Sequence, residues 1–136
     1  MILLDTSIVI WFIEGAPRLG AQARFRIDSA EAGGLQVCAI SFWEIGLLLS
    51  RKRLALAMST AELAHSLTED DRFQIVPVDS AMAIEAGTLP QGIHGDPGDR
   101  MLIAAARLQK CPLLTSDAKI LSYAREGHVQ AIDARL

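Results

Sequence analysis

Residues 1–15, MILLDTSIVIWFIEG, contain the pattern that decides the fold class. The apolar run MILL has the length and composition of a buried strand, and Asp5 follows it directly. Apolar residues continue with helical spacing over 6–14 and stop at Gly15, which predicts a helix. A buried strand that leads straight into a helix is the repeating unit of parallel sheets.

The same alternation of strand and helix patterns continues along the chain. Four further apolar runs are suited to strands, at 35–40, 74–78, 113–115 and 129–132. Helical periodicity is present between them at about 18–32, 41–51, 59–68, 80–87, 98–109 and 117–125. We therefore predict an α/β fold with a central parallel five-stranded sheet and about seven flanking helices. No repeat or linker divides the 136 residues, so one domain is expected over 1–136.

Composition limits the class of protein and its compartment. The hydrophobic fraction is 51%, but no apolar run approaches the roughly 20 residues of a spanning helix. The N-terminus also lacks the basic region of a signal peptide, so we expect a soluble, cytoplasmic protein with no membrane association. Cys38 and Cys111 are predicted to be buried free thiols, because neither spacing resembles a zinc site.

The formal net charge of −3 is unusual for a protein that binds nucleic acid, since affinity for phosphates usually comes from a basic face. Five of the 16 acidic residues are candidates for one site, and without them 13 basic residues remain against 11 acidic ones. The remaining surface is thus mildly basic. Arg51, Lys52 and Arg53 form a local cluster, which we interpret first as a solvated helix end that suits the helix dipole.

Four acidic residues occupy the positions where ligands bind in open α/β sheets, beyond the carboxyl ends of the strands. Asp5 follows the first strand, and Glu44 lies one turn into the helix after the second. Asp99 opens the helix after the Gly/Pro-rich loop 88–98, and Asp117 follows the strand that contains LLT. Two such charges 4 Å apart repel by about 4 kcal/mol at an effective dielectric near 20. A pocket of this kind requires cations, and carboxylates without His or Cys favour Mg²⁺ or Mn²⁺.

Helix capping is the competing explanation for each acid, because acidic residues are favourable at helix N-termini. Ser41-Phe42-Trp43-Glu44 has the sequence of a capping box, with Ser41 as the cap and Glu44 folding back. Asp96 can be interpreted in the same way, as the cap of a helix whose first turn contains Asp99. Taken singly, each acid is explained better by capping.

The remaining acids also have capping alternatives. Asp117 could cap the last helix, and Asp5 could simply precede a Thr6 cap. Asp79 provides an internal comparison, because it too follows a strand and opens a helix, and we assign it to capping alone. Only the complete set of acids favours a metal site over capping.

Other candidate residues are weaker. His94 lies beside the Gly/Pro-rich loop near Asp96 and could contact substrate or metal, but we interpret it as a surface-loop histidine. Aromatic residues that could stack on RNA bases have aliphatic neighbours, so core or dimer packing is expected for Trp11, Phe12, Phe42 and Trp43. There is no phosphate-binding P-loop, no nucleophile elbow and no H-E-x-x-H motif.

Four segments together resemble the PIN domain family, and within it the VapC-type toxins of prokaryotic toxin–antitoxin pairs. These segments are LLDTSIVIWFIEG (3–15), AISFWEIGLLLSRKRL (39–54), HGDPGDRMLIAAARL (94–108) and LLTSDAKI (113–120). Each motif is weak alone, whereas the four in this order and spacing are specific. The resemblance covers nearly the whole chain.

The resemblance implies a mechanism. The family's acidic quartet matches Asp5, Glu44, Asp99 and Asp117, which would hold one or two Mg²⁺ or Mn²⁺ ions that activate water for attack on an RNA phosphodiester. Asp5 and Asp99 are the expected direct ligands, while Glu44 and Asp117 bind through water, complete a second metal site or orient the nucleophile. Three accessory residues are expected beside the quartet, namely Asp96, Thr6 and Ser116.

The resemblance also implies partners. These are an RNA substrate, with transfer RNA expected, a second copy of the chain in a homodimer, and a small cognate antitoxin that blocks the acidic site with a basic side chain. Two alternatives stay open from the sequence. One is a receiver-like signalling domain, which fits poorly because Asp5 stands alone and Lys119 lies within a predicted helix. The other is a housekeeping PIN nuclease or an inactive protein-binding module.

Overall fold

The computed structural model describes residues 1–136 as an α/β fold around one parallel sheet. Its five strands lie in the order β3-β2-β1-β4-β5, and every neighbouring pair is parallel. The strands are β1 (Ile2–Leu4), β2 (Leu35–Cys38), β3 (Phe73–Val76), β4 (Leu113–Thr115) and β5 (Ala131–Asp133). The predicted fold class is confirmed.

Seven helices flank the sheet, as the periodicity predicts. They are α1 (Thr6–Glu14), α2 (Ala21–Asp28), α3 (Ala39–Ser50), α4 (Thr60–Glu69), α5 (Ser80–Gly87), α6 (Pro97–Gln109) and α7 (Ala118–Arg125). None of them is long and apolar enough to cross a membrane.

Several predicted boundaries are wrong, and local chemistry explains most of them. β3 ends at Val76 rather than residue 78, because Pro77 has no N–H to continue the ladder. α2 is shorter than the predicted 18–32, because it begins after Gly20 and the chain turns at 30–34 to enter β2. β5 occupies 131–133 instead of 129–132, although Val129 is buried in the core as an apolar residue should be.

The boundary between β2 and α3 matters most for function. The predicted strand 35–40 ends at Cys38, where its register with β3 ends, and α3 begins at Ala39 instead of residue 41. Ser41 therefore lies inside the first turn of α3 rather than at its N-cap. This shift changes the role of both Ser41 and Glu44.

The core has two layers, one on each face of the sheet. Leu3 and Leu4 of the central strand are both fully buried but point to opposite faces, as alternate residues of a strand must. Leu3 packs with residues of α5, α6 and α7, and Leu4 packs with residues of α1 to α4. The predicted burial of Cys38 and Cys111 as free thiols is confirmed. Helices on both faces explain why the central strands β1 and β4 are almost entirely apolar.

Strand order determines where side chains can meet. β1 lies at the centre, and the chain passes from it to β2 on one side and, later, to β4 on the other. This reversal is a topological switch point, where the connections leave in opposite directions and open a crevice at the carboxyl ends of the strands. The residues that follow β1, β2 and β4 converge there.

Candidate functional site

A cleft of about 590 Å³ opens at this switch point between α1, α3, the first turn of α6 and the segment after β4. All seven site residues predicted from the sequence line it, namely Asp5, Thr6, Glu44, Asp96, Asp99, Ser116 and Asp117. Asp79, which was assigned to capping alone, does not line the cleft, and its carboxylate accepts the Met82 N–H at the start of α5. The structure thus brings the acidic set together.

Asp5 is the most buried of these acids, with only 6% of its surface exposed. Its Oδ1 accepts the Thr6 N–H at 2.7 Å, so Asp5 rather than Thr6 occupies the N-cap of α1. Its Oδ2 accepts the Thr115 hydroxyl at 2.5 Å. Burial raises the pKa of Asp5, and the two hydrogen bonds oppose this shift while the charges of Asp117 and Asp96 add to it.

Thr115 is a residue that sequence reasoning missed. Its side chain is fully buried, and its Oγ1 donates to Asp5 and accepts the Asp117 N–H at 3.0 Å. One hydroxyl therefore links the end of β4 to the acid at the end of β1. A threonine as the last residue of an apolar strand beside an acid was the available signal.

Glu44 is held by a chain of hydroxyl groups rather than by a capping box. The Thr6 Oγ1 donates to Glu44 Oε1 at 2.6 Å and lies 2.8 Å from the Ser41 Oγ. Thr6 has a single hydroxyl proton, so Ser41 is the donor in the second contact. The capping-box interpretation is wrong, because α3 begins two residues earlier and Ser41 is buried behind Thr6.

The first turn of α6 packs closely against the Glu44 carboxylate. A Cβ atom at Gly98 would lie 2.4 Å from Glu44 Oε2 and 2.6 Å from its Cδ. Since Oε1 is tied to Thr6, the carboxylate cannot swing away without losing that bond. The absence of a side chain at Gly98 therefore allows Glu44 to reach the cleft.

The loop before α6 brings one histidine to the site. The His94 Nδ1 accepts the Asp96 N–H at 3.1 Å, which leaves Nε2 as the protonated nitrogen, and Nε2 lies 3.2 Å from Asp99 Oδ2. His94 is on a loop, as predicted, but its side chain is only 28% exposed and it contacts a site acid. The Asp96 Oδ1 caps α6 by accepting the Asp99 N–H at 2.9 Å.

Asp96 and Asp117 each cap a helix and also line the cleft. The Asp117 Oδ1 accepts the Lys119 and Ile120 N–H groups at 2.8 and 3.1 Å. In both aspartates the capping oxygen is Oδ1, and Oδ2 has no hydrogen-bond partner in the protein. Each helix N-terminus thus orients an acid whose second oxygen is available to a ligand.

Burial and neighbouring negative charges together raise the pKa of Asp99 to about 7. Burial is the largest cause, followed by the charges of Asp96, Asp5, Asp117 and Glu44. The pKa of Glu44 is also raised by burial, with the Thr6 hydrogen bond opposing the shift. The cleft therefore favours a bound cation or proton.

The donor set fits a hard divalent ion. It consists of carboxylate and hydroxyl oxygens, which Mg²⁺ and Mn²⁺ prefer. No three of the His, Cys, Asp and Glu side chains are close enough to enclose an ion by themselves. This openness suits Mg²⁺, which usually keeps several waters and binds through one or two carboxylates together with phosphate oxygens.

Comparison with known proteins agrees with this architecture. The family model for the PIN domain matches residues 2–126, which is most of the chain. This chain belongs to the PIN domain family. The resemblance inferred from the four sequence segments is confirmed, and the receiver-like alternative loses its support.

Individual relatives lie in the VapC branch of the PIN domain family or share its fold. The chain is 31% identical over 122 residues to the protein named Ribonuclease VapC22 of Mycobacterium tuberculosis, covering 90% of this chain and 91% of the relative. Two solved structures share the fold at lower identity. FitAcB from Neisseria gonorrhoeae has a TM-score of 0.67 at 22% identity, covering 98% of each chain. A toxin–antitoxin complex from Klebsiella pneumoniae has a TM-score of 0.61 at 18% identity, covering 88% of each chain.

The raised pKa of Asp99 predicts how the stability of this PIN domain depends on pH. A carboxyl whose folded pKa is about 7 and whose unfolded pKa is near 4 binds more protons when folded. In metal-free protein, the free energy of unfolding should therefore fall as pH rises from about 4 to about 7. Asp99→Asn should reduce this loss and raise the free energy of unfolding at pH 8 by roughly 2 kcal/mol.

Urea unfolding with chelator present at pH 4.5 and pH 8 measures the effect. Asp79→Asn is the matched control, because Asp79, like Asp99, lies at the N-terminus of a helix but is outside the cleft. The control should show no gain at pH 8. An Asp99→Asn variant that loses as much stability between the two pH values as the parent would contradict a raised pKa at Asp99.

Proposed function

We propose that this protein is a metal-dependent endoribonuclease that hydrolyses RNA phosphodiester bonds and acts as the toxin of a toxin–antitoxin pair. The observation that carries the proposal is the gathering of five carboxylates in one cleft at the switch point of a PIN domain. The name Ribonuclease VapC22 of the 31% identical relative supports cleavage of RNA. The acids suit Mg²⁺ or Mn²⁺ as the cofactor.

Asp5 and Asp99 are the proposed direct metal ligands, with Glu44 and Asp117 binding through water or at a second metal. A bound divalent ion would polarise the phosphate and lower the pKa of a bound water. Asp5 supports this role because Thr6 and Thr115 hold its carboxylate in one orientation. Burial and the charges of the four neighbouring acids both raise the pKa of Asp99, and a bound cation would oppose this shift.

Glu44 is the proposed orienting group for the attacking water. Its Oε1 is engaged by Thr6, while Oε2 has no hydrogen bond in the protein and can accept a proton from water. In hydrolysis the water oxygen attacks phosphorus, its proton passes to a carboxylate, and the ribose oxygen leaves with a proton from solvent. A carboxylate with a raised pKa is suited to accept that proton.

The accessory residues have narrower proposed roles. Thr6 positions Glu44 through its hydroxyl, as described. Asp96 caps α6 and adds a charge at the rim of the cleft. Ser116 contributes a half-buried hydroxyl to the wall beside Asp117, where it can contact a water or a phosphate oxygen.

The proposed biological partners follow from the family. The substrate is RNA, with transfer RNA as the expected class, and the active form is a homodimer. A cognate antitoxin would inhibit the nuclease by placing a basic side chain among the acids of the cleft. The toxin–antitoxin complex from Klebsiella pneumoniae, which shares the fold, supports a protein partner of this kind.

The carboxylate of Asp5 provides the direct test of catalysis. Asp5→Asn should abolish RNA cleavage while keeping or slightly raising the thermal stability, because it removes a charge from a repulsive cluster. Total RNA is incubated with the purified protein and Mn²⁺ or Mg²⁺, with chelator and with the variant in parallel. Cleavage at the parent rate by Asp5→Asn, or by the parent in chelator, would refute the metal mechanism.

Gly98 provides a test of how Glu44 is positioned. Gly98→Ala should displace the Glu44 carboxylate and lower kcat about tenfold to a hundredfold, since small misplacements of catalytic groups are costly. Gly95→Ala is the matched control, because a Cβ there meets no atom within 4 Å. Single-turnover cleavage of one RNA substrate measures both. Equal rates for the two variants would remove Glu44 from the mechanism.

Expression in a bacterial host tests the toxin role separately from the chemistry. Induction of the parent should arrest growth, and Asp5→Asn should not, because arrest requires cleavage. Co-expression of the partner encoded beside this chain should restore growth. Normal growth with abundant, RNA-cleaving parent protein would favour the housekeeping nuclease instead.

A further inference from the structure

One wall of the cleft is built from α3 and the residue that ends it. Trp43, Leu47 and Arg51 are spaced by four residues, so they lie along a single stripe of the helix, and all three line the cleft. Trp43 is 53% exposed, which is unusual for so large an apolar side chain. Trp43 therefore does not pack in the core, and packing against a second copy of the chain stays the other role expected from the sequence.

The two tryptophans of the chain have different surroundings. The ring of Trp11 is covered by the Arg18 guanidinium, whose Cζ lies 4.9 Å from the ring centroid. Trp43 has no aromatic or cationic partner in the structure. One face of the cleft thus presents a free aromatic ring immediately beside Glu44.

Unpaired cations continue the stripe beyond the tryptophan. Arg51, Lys52 and Arg53 are all exposed, and none of them forms an ion pair. Arg51 is the only basic residue that lines the cleft, where it faces a site that contains five carboxylates. These cations have no anionic partner within the protein, which leaves them available to an external anion.

The backbone holds this cationic cluster in a defined position. The Lys52 N–H donates to the Leu49 carbonyl at 3.1 Å, and the Arg53 N–H donates to the Leu48 carbonyl at 2.9 Å. This pair of bonds is a Schellman motif that ends α3. Lys52 has a φ of 55°, a left-handed conformation where glycine is usual. A lysine thus occupies the position that glycine would fill with less strain.

We propose that the stripe Trp43, Leu47, Arg51 with Lys52 and Arg53 is a binding track for single-stranded RNA. Trp43 stacks on a base next to the phosphate held over the acids, and the three cations bind phosphates further along the same strand. The proposal rests on the proposed ribonuclease function and adds to it the substrate class and the direction in which the strand leaves the acids.

Distance and chemistry favour this occupant. Arg51 follows Glu44 by seven positions, which corresponds to roughly 10 Å along α3, a span that a few nucleotides cover. Stacking on Trp43 requires a base with an open face, which loops and single strands offer and paired duplex does not. Because the acids repel the RNA backbone, a strand that enters the cleft needs cations near the acids.

Binding measurements can separate the two parts of the track. The protein is used with Asp5→Asn to prevent cleavage, and the probe is a short, unstructured, fluorescein-labelled RNA oligonucleotide. Fluorescence anisotropy gives the Kd over a series of KCl concentrations with Mg²⁺ present. Trp43→Ala should weaken binding about tenfold without changing the salt dependence, because base stacking on an aromatic ring is nonionic.

Substitution of the cations should instead change the salt dependence of binding. Replacement of Arg51, Lys52 and Arg53 by Gln should lower the slope of log Kd against log[KCl] by about 2, since each phosphate contact on a single strand contributes about 0.7. Matched controls lie at the other edge of the sheet, beside the start of β1 and β2. Phe25→Ala and Arg26→Gln alter an exposed aromatic ring and an exposed cation there and should change neither quantity.

Tryptophan emission reports the stacking directly. In a Trp11→Phe protein, Trp43 is the only remaining tryptophan, and its fluorescence should be quenched when the oligonucleotide binds. An oligonucleotide of abasic residues should bind without this quenching. Circular dichroism and thermal melts establish that each variant is folded.

The outcomes separate this inference from the proposed function. If the unmodified parent does not cleave RNA, the proposed nuclease function is refuted. If the parent cleaves RNA but the Trp43 and cation variants bind the oligonucleotide as the controls do, the nuclease stands and the track is refuted. The same conclusion follows if these variants lose only binding of a protein partner, since the stripe would then be a protein interface.

Discussion

Burial of the Asp5 carboxylate at the end of the central strand constrains every other part of the cleft. A charge in this position is unfavourable unless hydrogen-bond donors surround it. The fold supplies two donors, the first N–H of α1 and the hydroxyl at the end of β4. The second donor, Thr115, depends on the parallel register of β1 and β4, which places Leu4 beside Leu114.

Further polar contacts connect Asp5 to two of the other acids and fix their positions relative to it. Thr6 follows Asp5, and its side chain connects α1 to α3 through Ser41 and Glu44. Thr115 connects Asp5 to the backbone at Asp117, where α7 begins. The carboxylates of Asp5, Glu44 and Asp117 therefore cannot spread apart to relieve their repulsion without losing these hydrogen bonds or their helix caps. A rigid cluster of like charges is what a divalent ion would neutralise.

Much of this arrangement could be predicted from the sequence because it depends on local pattern. The apolar runs identified all five strands, and the acids that follow them marked the carboxyl edge of the sheet. The sequence could not predict that one aspartate can cap a helix and line the cleft at the same time. Asp117 and Asp96 have both roles, because one carboxylate oxygen accepts from the helix and the other remains available in the cleft.

Contacts between residues that are far apart in the chain could not be predicted from the sequence. Ser41 and Glu44 have the spacing of a capping box, and only the early start of α3 reveals that Thr6 binds both. The restriction at Gly98 likewise depends on how closely α6 approaches Glu44, which no local pattern records. Such contacts depend on the packing of helices that are far apart in the chain.

The central claim is that the acidic cleft binds a divalent ion through Asp5 and Asp99. Anomalous diffraction from crystals of the protein grown with Mn²⁺ tests it most directly, because manganese can be located without reference to the rest of the density. We predict a peak in the cleft within about 2.0–2.2 Å of a carboxylate oxygen of each residue, the range for small hard ions. No peak in the cleft at millimolar Mn²⁺, or a peak on other residues only, would contradict the account.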